Sequence, residues 1–166
     1  MDRTDTFYAL DEAIHGYGAQ IMVGDGASPE NFQAIAAVNS IEPGDMNTAD
    51  IKRTHLRSPD AHHEHMPGMR DSGPFTLTGT WLPGDESQSN AGGGSGPFQT
   101  GGLIAIWRAR TTHNFKIVLN DGSPVTEWPF RGYVAGFKPG GISVDDKVID
   151  FTSTIQPTES YDADLP

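Results

Sequence analysis

The sequence predicts a mainly β protein, an antiparallel β-sandwich or barrel with one short α-helix and long inter-strand loops. Three observations lead there. Short stretches of apolar and polar alternation recur along the 166 residues and are separated by turn residues. The 20 Gly and 12 Pro exceed ordinary usage, which favours many turns over a helical bundle. Only one apolar stretch, near residue 105, has the cation placement of a helix.

The elements follow in order. Residues 1–17 read as an arm, with Phe7, Leu10 and Ile14 spaced three and four apart as in one amphipathic turn. The run AQIMV (19–23) is a strand ended by Gly24-Asp25-Gly26. FQAIAAVNSI (32–41) follows the breaker Ser28-Pro29, and the two make a hairpin. DIKRTHL (50–56) is a third strand with two mixed faces, and residues 57–73, RSPDAHHEHMPGMRDSG, carry no strand or helix pattern. A loop of that length is unusual inside a compact domain and points to function or disorder.

PFTLTGTWL (74–82) has the cleanest alternation, with Phe75, Leu77 and Trp81 opposed to Thr76, Thr78 and Thr80. The Gly- and Ser-rich stretch that follows, PGDESQSNAGGGSG, reads as a mobile connector. LIAIWRA (103–109) is apolar enough for a short buried helix, with Arg108 and Arg110 at its C-terminal end where cations suit the dipole, and a strand also fits the run. Strands at 114–119 and 125–130 flank Asn120-Asp121-Gly122, a tight-turn signal. RGYVAGFKPG and VIDFTSTIQ complete seven or eight strands, so the domain spans 18–156 and residues 157–166 form a tail.

Charge narrows the function classes. Eleven Lys and Arg against 22 Asp and Glu give a net charge of -11, which argues against a surface that grasps DNA through its phosphates. The first fifty residues hold one cation, Arg3, and nine acids, after which Lys52, Arg53, Arg57 and Arg70 form a positive patch. Such asymmetry suits a surface that meets a copy of itself head to tail, and equally a solvated loop. No Cys is present, so disulfides, thiolate metal sites and a Cys nucleophile are excluded. No apolar run is long enough to span a bilayer, and the acidic N-terminus is unlike a signal peptide.

Catalytic and cofactor motifs are missing. GGGSGPFQTGG lacks the Lys-Ser/Thr ending of a P-loop, and the sequence holds no H-E-x-x-H, G-x-S-x-G or EF-hand loop. His62, His63 and His65, with Glu64 between them and His55 nearby, have imidazoles close enough for Zn or Ni. Neighbouring residues of a loop point in different directions, however, so an exposed segment contacting a partner is the favoured reading, with no metal, cofactor or catalytic residue assigned. Such a contact would be a candidate for pH sensitivity. Trp81, Trp107 and Trp128 each sit in an apolar element, where packing outweighs a sugar-binding platform.

The order of motifs carries a resemblance. VGDGASPENF (23–32), MPGMRDSG (66–73), Phe75 to Trp81, Asp121-Gly122, WPFRGYV (128–134) and Asp145-Asp146-Lys147 occur in a sequence that resembles the major tail tube proteins of long non-contractile-tailed phages, of the lambda type, and the tube proteins of phage-like gene transfer particles. The resemblance covers about residues 19–156. It implies a tail-tube-like fold, a structural virion protein stacked as six-membered rings, and a lumen through which DNA passes without specific binding.

It further implies that the long loop reaches the neighbouring ring, which makes Arg57, His62, His63, His65, Met66, Pro67, Met69, Arg70 and Asp71 the expected stacking residues. Lys52 and Arg53 are the expected charge contacts between subunits or rings. The partners implied are the chain itself and the tail tip or baseplate, tape measure and tail terminator proteins, with no membrane, after assembly in a host cytoplasm. A solitary β-sandwich module binding a ligand such as carbohydrate is the alternative.

Overall fold

The computed structural model describes residues 16–55, 62–120, 125–144 and 148–159. The amphipathic stretch at 7–14, Arg57, the Asp121-Gly122 turn, Asp145-Asp146-Lys147 and the tail from 160 lie outside them. Nine strands are present among the described residues: β1 (Gln20–Gly24), β2 (Phe32–Ala34), β3 (Val38–Glu42), β4 (Met46–Lys52), β5 (His65–Ser72), β6 (Phe75–Thr80), β7 (Thr112–Leu119), β8 (Thr126–Pro139) and β9 (Asp150–Pro157). One α-helix, α1 (Leu103–Ala109), and a 3-10 turn at Gly96–Phe98 precede β7.

Seven strands form one antiparallel sheet in the order β2-β1-β7-β8-β9-β6-β3, while β4 and β5 pair only with each other. The large sheet curls so that its edge strand β3 comes back against β1. Strand β8 joins the two halves by a stagger: its first half, Thr126 to Tyr133, pairs with β7, and its second, Gly132 to Pro139, pairs with β9.

The inward face builds the core from alternate residues. On β6, Phe75 and Leu77 are fully buried while the alternating Thr76, Thr78 and Thr80 are half-buried. Phe75 stacks on Phe130 with ring centroids 4.3 Å apart, and Phe130 stacks in turn on Phe115 at 5.5 Å. Phe137 and Phe151 stack at 5.3 Å across the β8–β9 pair. Each fully buried ring contributes about 1.5–3 kcal/mol relative to exposure.

Three sequence expectations are corrected. The run 32–41 is two strands rather than one, because Ala37 adopts a φ of 54° and turns the chain, sending β2 to β1 and β3 to β6 at opposite edges. The segment 57–73 is not structureless: its second half is β5, antiparallel to β4, which runs from 46 to 52 rather than 50 to 56. Both strands are exposed along most of their length, so no buried face imposed the alternation that marks a strand.

The Gly- and Ser-rich stretch is pinned, not free. Gln88 is 0% exposed; its Oε1 accepts from Leu82 N at 2.8 Å and its Nε2 donates to Ala36 O at 2.8 Å and Thr80 O at 3.1 Å. Ser87 Oγ accepts from Ala36 N at 2.9 Å, Glu86 accepts from Gln33 Nε2 and from Ser95 N, and Phe98 plugs the core. Gly102 is needed where α1 begins, since a Cβ there would stand 2.2 Å from the Ser87 carbonyl carbon. The helix then lies against β8 and buries Leu103 and Ile106.

Candidate assembly surface

The β4–β5 hairpin grows from a tight root. Gly73 N donates to Asp45 O at 2.9 Å, and a Cβ on Gly44 would stand 2.2 Å from the Gly73 carbonyl carbon, so the outgoing and returning chains touch. Gln156 Nε2 on β9 donates to Ser72 O at 3.1 Å, tying the root to the large sheet. Beyond the root, cross-strand pairs run Met46–Ser72, Asn47–Asp71, Thr48–Arg70, then across an irregularity Asp50–Pro67, Ile51–Met66 and Lys52–His65. Between Thr48 and Asp50 a single residue, Ala49, opposes two, Gly68 and Met69, which is a β-bulge.

Polar contacts hold the far end. Arg53 N donates to Glu64 O at 2.8 Å, and Glu64 N donates to Thr54 Oγ1 at 3.2 Å. His63 sits between Lys52 Nζ, 3.2 Å from its Nε2, and Thr54 Oγ1, 3.3 Å from its Nδ1. An ammonium can only donate, so Nε2 accepts and the ring proton lies on Nδ1. His65 Nδ1 pairs with Asp50 Oδ2 at 2.6 Å, and His55 Nε2 lies 3.9 Å from Glu64 Oε2.

These positions bring most of the predicted residues together. Lys52, His63 and His65 cluster at the far end, with Arg53 beside Glu64; Met66, Pro67, Met69, Arg70 and Asp71 lie along β5, and His62 is exposed just before His63. Among the described residues no group of three His, Asp or Glu side chains is gathered as a metal would require.

Sequence reasoning named Met66 and Met69 but missed Met46 and Ile51, which complete the apolar part of this surface. Met46, Ile51, Met66 and Met69 are 52%, 46%, 42% and 87% exposed, on a hairpin that pairs with no third strand among the described residues. The available signal was Ile51 itself, an apolar residue in a strand whose two faces were both mixed. It also missed that, among the described residues, β2 and β3 are the outermost strands of the large sheet, with no further strand paired to them. An isolated two-stranded hairpin is marginally stable in water, and open edges invite pairing. Elsewhere on the surface the Asp25–Asn31 loop closes on itself: Asp25 Oδ1 accepts from Ala27 N and Asn31 N, both at 3.0 Å, and these bonds hold the Asp25 carboxyl below its ordinary 3.8. No helix among the described residues is long and apolar enough to cross a membrane.

A curled antiparallel sheet whose edges among the described residues are β2 and β3, with a projecting, exposed two-stranded hairpin, defines a structural β subunit. A family model described as the lambda phage tail tube protein, TTP, matches residues 18–161, and the chain belongs to that family. It is thus a structural tail-tube protein of a phage or phage-like particle, located in the virion tail.

Solved structures share the fold. The PVC sheath–tube complex of an extracellular contractile injection system in its extended state is similar at 16% identity and a TM-score of 0.62, over 95% of this chain and 96% of that one. The tail of an empty GTA particle, refined with C6 symmetry, is 13% identical with a TM-score of 0.59, over 89% and 96% of the two chains. The SPP1 tail tube is 12% identical with a TM-score of 0.57, over 89% of this chain and 77% of that one. A search of curated proteins finds no match.

Proposed function

We propose that this chain polymerises as stacked six-membered rings, with β2 and β3 meeting neighbours within a ring and the β4–β5 hairpin reaching the adjacent ring. The exposed Met46, Ile51, Met66 and Met69 on a hairpin without a core carry this reading, since burial against a second copy removes that apolar area from water. The C6 symmetry of the similar GTA tail supports the ring number. Lys52, Arg53 and Arg70 on the hairpin face acidic surfaces of the next copy. Ring contacts close while stacking contacts do not, so growth is linear.

The lumen carries DNA without holding it. A chain of net charge -11 has little to offer phosphates, and each phosphate contact avoided removes a salt-dependent brake on transit. The role is mechanical, with no reaction catalysed and no cofactor held. The further partners are the tape measure within and the terminator and baseplate at the ends; a tube terminator, a tube-terminating cap and a baseplate are among the similar structures.

The tight root makes the test clean. Replacing residues 46–72 by a two-residue turn joins chains that already touch, so the large sheet keeps its strands. The shortened protein is expected to show native far-UV circular dichroism and remain unassembled at concentrations where the full chain forms tubes in negative stain. Tubes of normal length from the shortened chain would rule the stacking role out.

A further inference from the structure

The middle of the large sheet carries a cleft that no residue of β2, β3 or the hairpin lines. Strand β8 is the fourth of the seven, with β2 three strands away on one side and β3 three away on the other. Where α1 packs beside it, Trp107, Arg108, Arg110, Thr112, Tyr133 and Ala135 line an open cleft of about 590 Å³. Tyr133 and Ala135 are on the exposed side of β8, alternating with buried Gly132 and Val134. Trp107 is 46% and Tyr133 40% exposed.

The charge in this cleft is out of keeping with the chain around it. Eleven Lys and Arg stand against 22 acids in the whole sequence, yet Arg108 and Arg110 both line the cleft and no Asp or Glu does. Arg108 is steered by a neutral group: its Nη1 donates to Asn90 Oδ1 at 3.1 Å, which leaves the charge uncompensated. Lys116 and Arg131 are paired with Glu127 and Glu159, whereas Arg110 is paired with no acid among the described residues. Arg110 also ends α1 in the left-handed region, at φ 55° and ψ 33°. Glycine takes that backbone at no steric cost, so the cap itself gives no reason for an arginine. The partial negative charge at a helix C-terminus, about half a unit, offsets only a fraction of two full cations.

We propose that this cleft docks an acidic peptide segment of another protein, seating an apolar side chain between Trp107 and Tyr133 with flanking carboxylates on Arg108 and Arg110. Arginine meets a carboxylate with two parallel N–H donors, and Trp, Tyr and Arg are the residues that carry binding energy at interface centres. A short segment meets only the local positive charge. A DNA duplex, with one phosphate charge per about 1.7 Å, would extend beyond the cleft over a chain of net charge -11. Other copies are met in the ring through the sheet edges, three strands away on either side. Docking here is a property of the single subunit and stands whether or not rings form.

Dilute, unassembled full-length protein provides the test. Calorimetric titration with a blocked Asp-Glu-Phe-Glu-Asp peptide is expected to show saturable one-to-one binding that weakens as salt rises, with none for Gln-Gln-Phe-Gln-Gln. Arg110→Gly is expected to keep the native circular dichroism, since glycine suits that backbone, and to weaken the acidic peptide about tenfold. Trp107→Ala is expected to weaken it similarly, while Lys138→Ala, which removes an exposed cation outside the cleft, leaves binding unchanged. Absence of binding, equal binding of the Gln peptide, or full affinity in either cleft variant overturns the proposal. Tighter Trp107-dependent binding of a short DNA duplex also overturns it, by giving the cleft to nucleic acid. Trp107-dependent dimers in sedimentation overturn it by giving the cleft to a second copy.

Discussion

His65 Nδ1 lies 2.6 Å from Asp50 Oδ2, a diagonal pair, since the strands set His65 opposite Lys52 and Asp50 opposite Pro67. The contact spans two rungs of a ladder that no buried face holds in place. A one-residue slip would turn Ile51 and Met66 to the opposite face, so this pair helps keep the apolar side chains aimed in one direction.

Removing the pair separates register from stability. Both side chains are more than half exposed, so Asp50→Ala is expected to cost at most about 1 kcal/mol, roughly 2–4 °C in Tm. Assembly followed by light scattering is expected to show a longer lag than the native chain at equal concentration. An unchanged lag would deny the pair any role in presenting the hairpin.

Gln88 is expected to matter far more than a loop residue ordinarily does. Gln88→Ala leaves Leu82 N, Ala36 O and Thr80 O without their partner in a site with 0% exposure. At about 1–3 kcal/mol for each stranded group, a loss of about 3 kcal/mol or more is expected, read as a lower urea midpoint. A shift under about 1 kcal/mol would mean that the loop relaxes to let water reach those groups.

Gly79 marks the β3–β6 junction. A Cβ there would stand 2.2 Å from Ala37 O and 2.9 Å from the Phe151 ring, and Ala37 O also accepts from Thr80 N at 2.9 Å. Gly79→Ala therefore has to displace backbone, and overpacking of this kind costs about 1–3 kcal/mol. Thermal melts should show the loss, with faster amide exchange in β3 than in β7; equal exchange in both strands would place the strain elsewhere.

The Asp25 loop gives a pH dependence with a definite sign. Bonds from Ala27 N, then Asn31 N and the Asn31 side chain, favour the ionised carboxylate and lower its folded pKa below the ordinary 3.8. The contribution is present above the unfolded value and is lost as pH falls through the lowered folded one. Protection of the Ala27 and Asn31 amides is expected to hold at pH 5 and to drop only below about pH 4. In Asp25→Asn the drop should disappear. A midpoint above 4 for Asp25 in an NMR titration would contradict the loop geometry.

Legibility in the sequence followed burial. Phe75 and Leu77 alternate with threonines because one face of β6 is packed, and the pattern could be read directly. The apolar run 103–109 with Arg108 and Arg110 at its end pointed to α1 but fitted a strand too, and the burial of Leu103 and Ile106 against β8 is what the structure adds. His65 to Ser72 gave no such sign, because neither face of β5 is covered in the single chain. Ala37 concealed the break between β2 and β3, since only glycine advertises a positive φ and alanine does not. Gln88 concealed an anchored loop, because a polar residue in a Gly- and Ser-rich stretch looks solvated until its backbone partners are known.

The stagger of β8 has a mechanical consequence. Strands β7, β1 and β2 hang from its first half and β9, β6 and β3 from its second, with overlap only at Gly132 and Tyr133. Tension applied along this strand loads each ladder in shear, where every rung bears a share of the force at once. Peeling, in which rungs fail one after another from an end, would require a pull across it. A subunit strung this way resists stretching along one direction and yields in the perpendicular one.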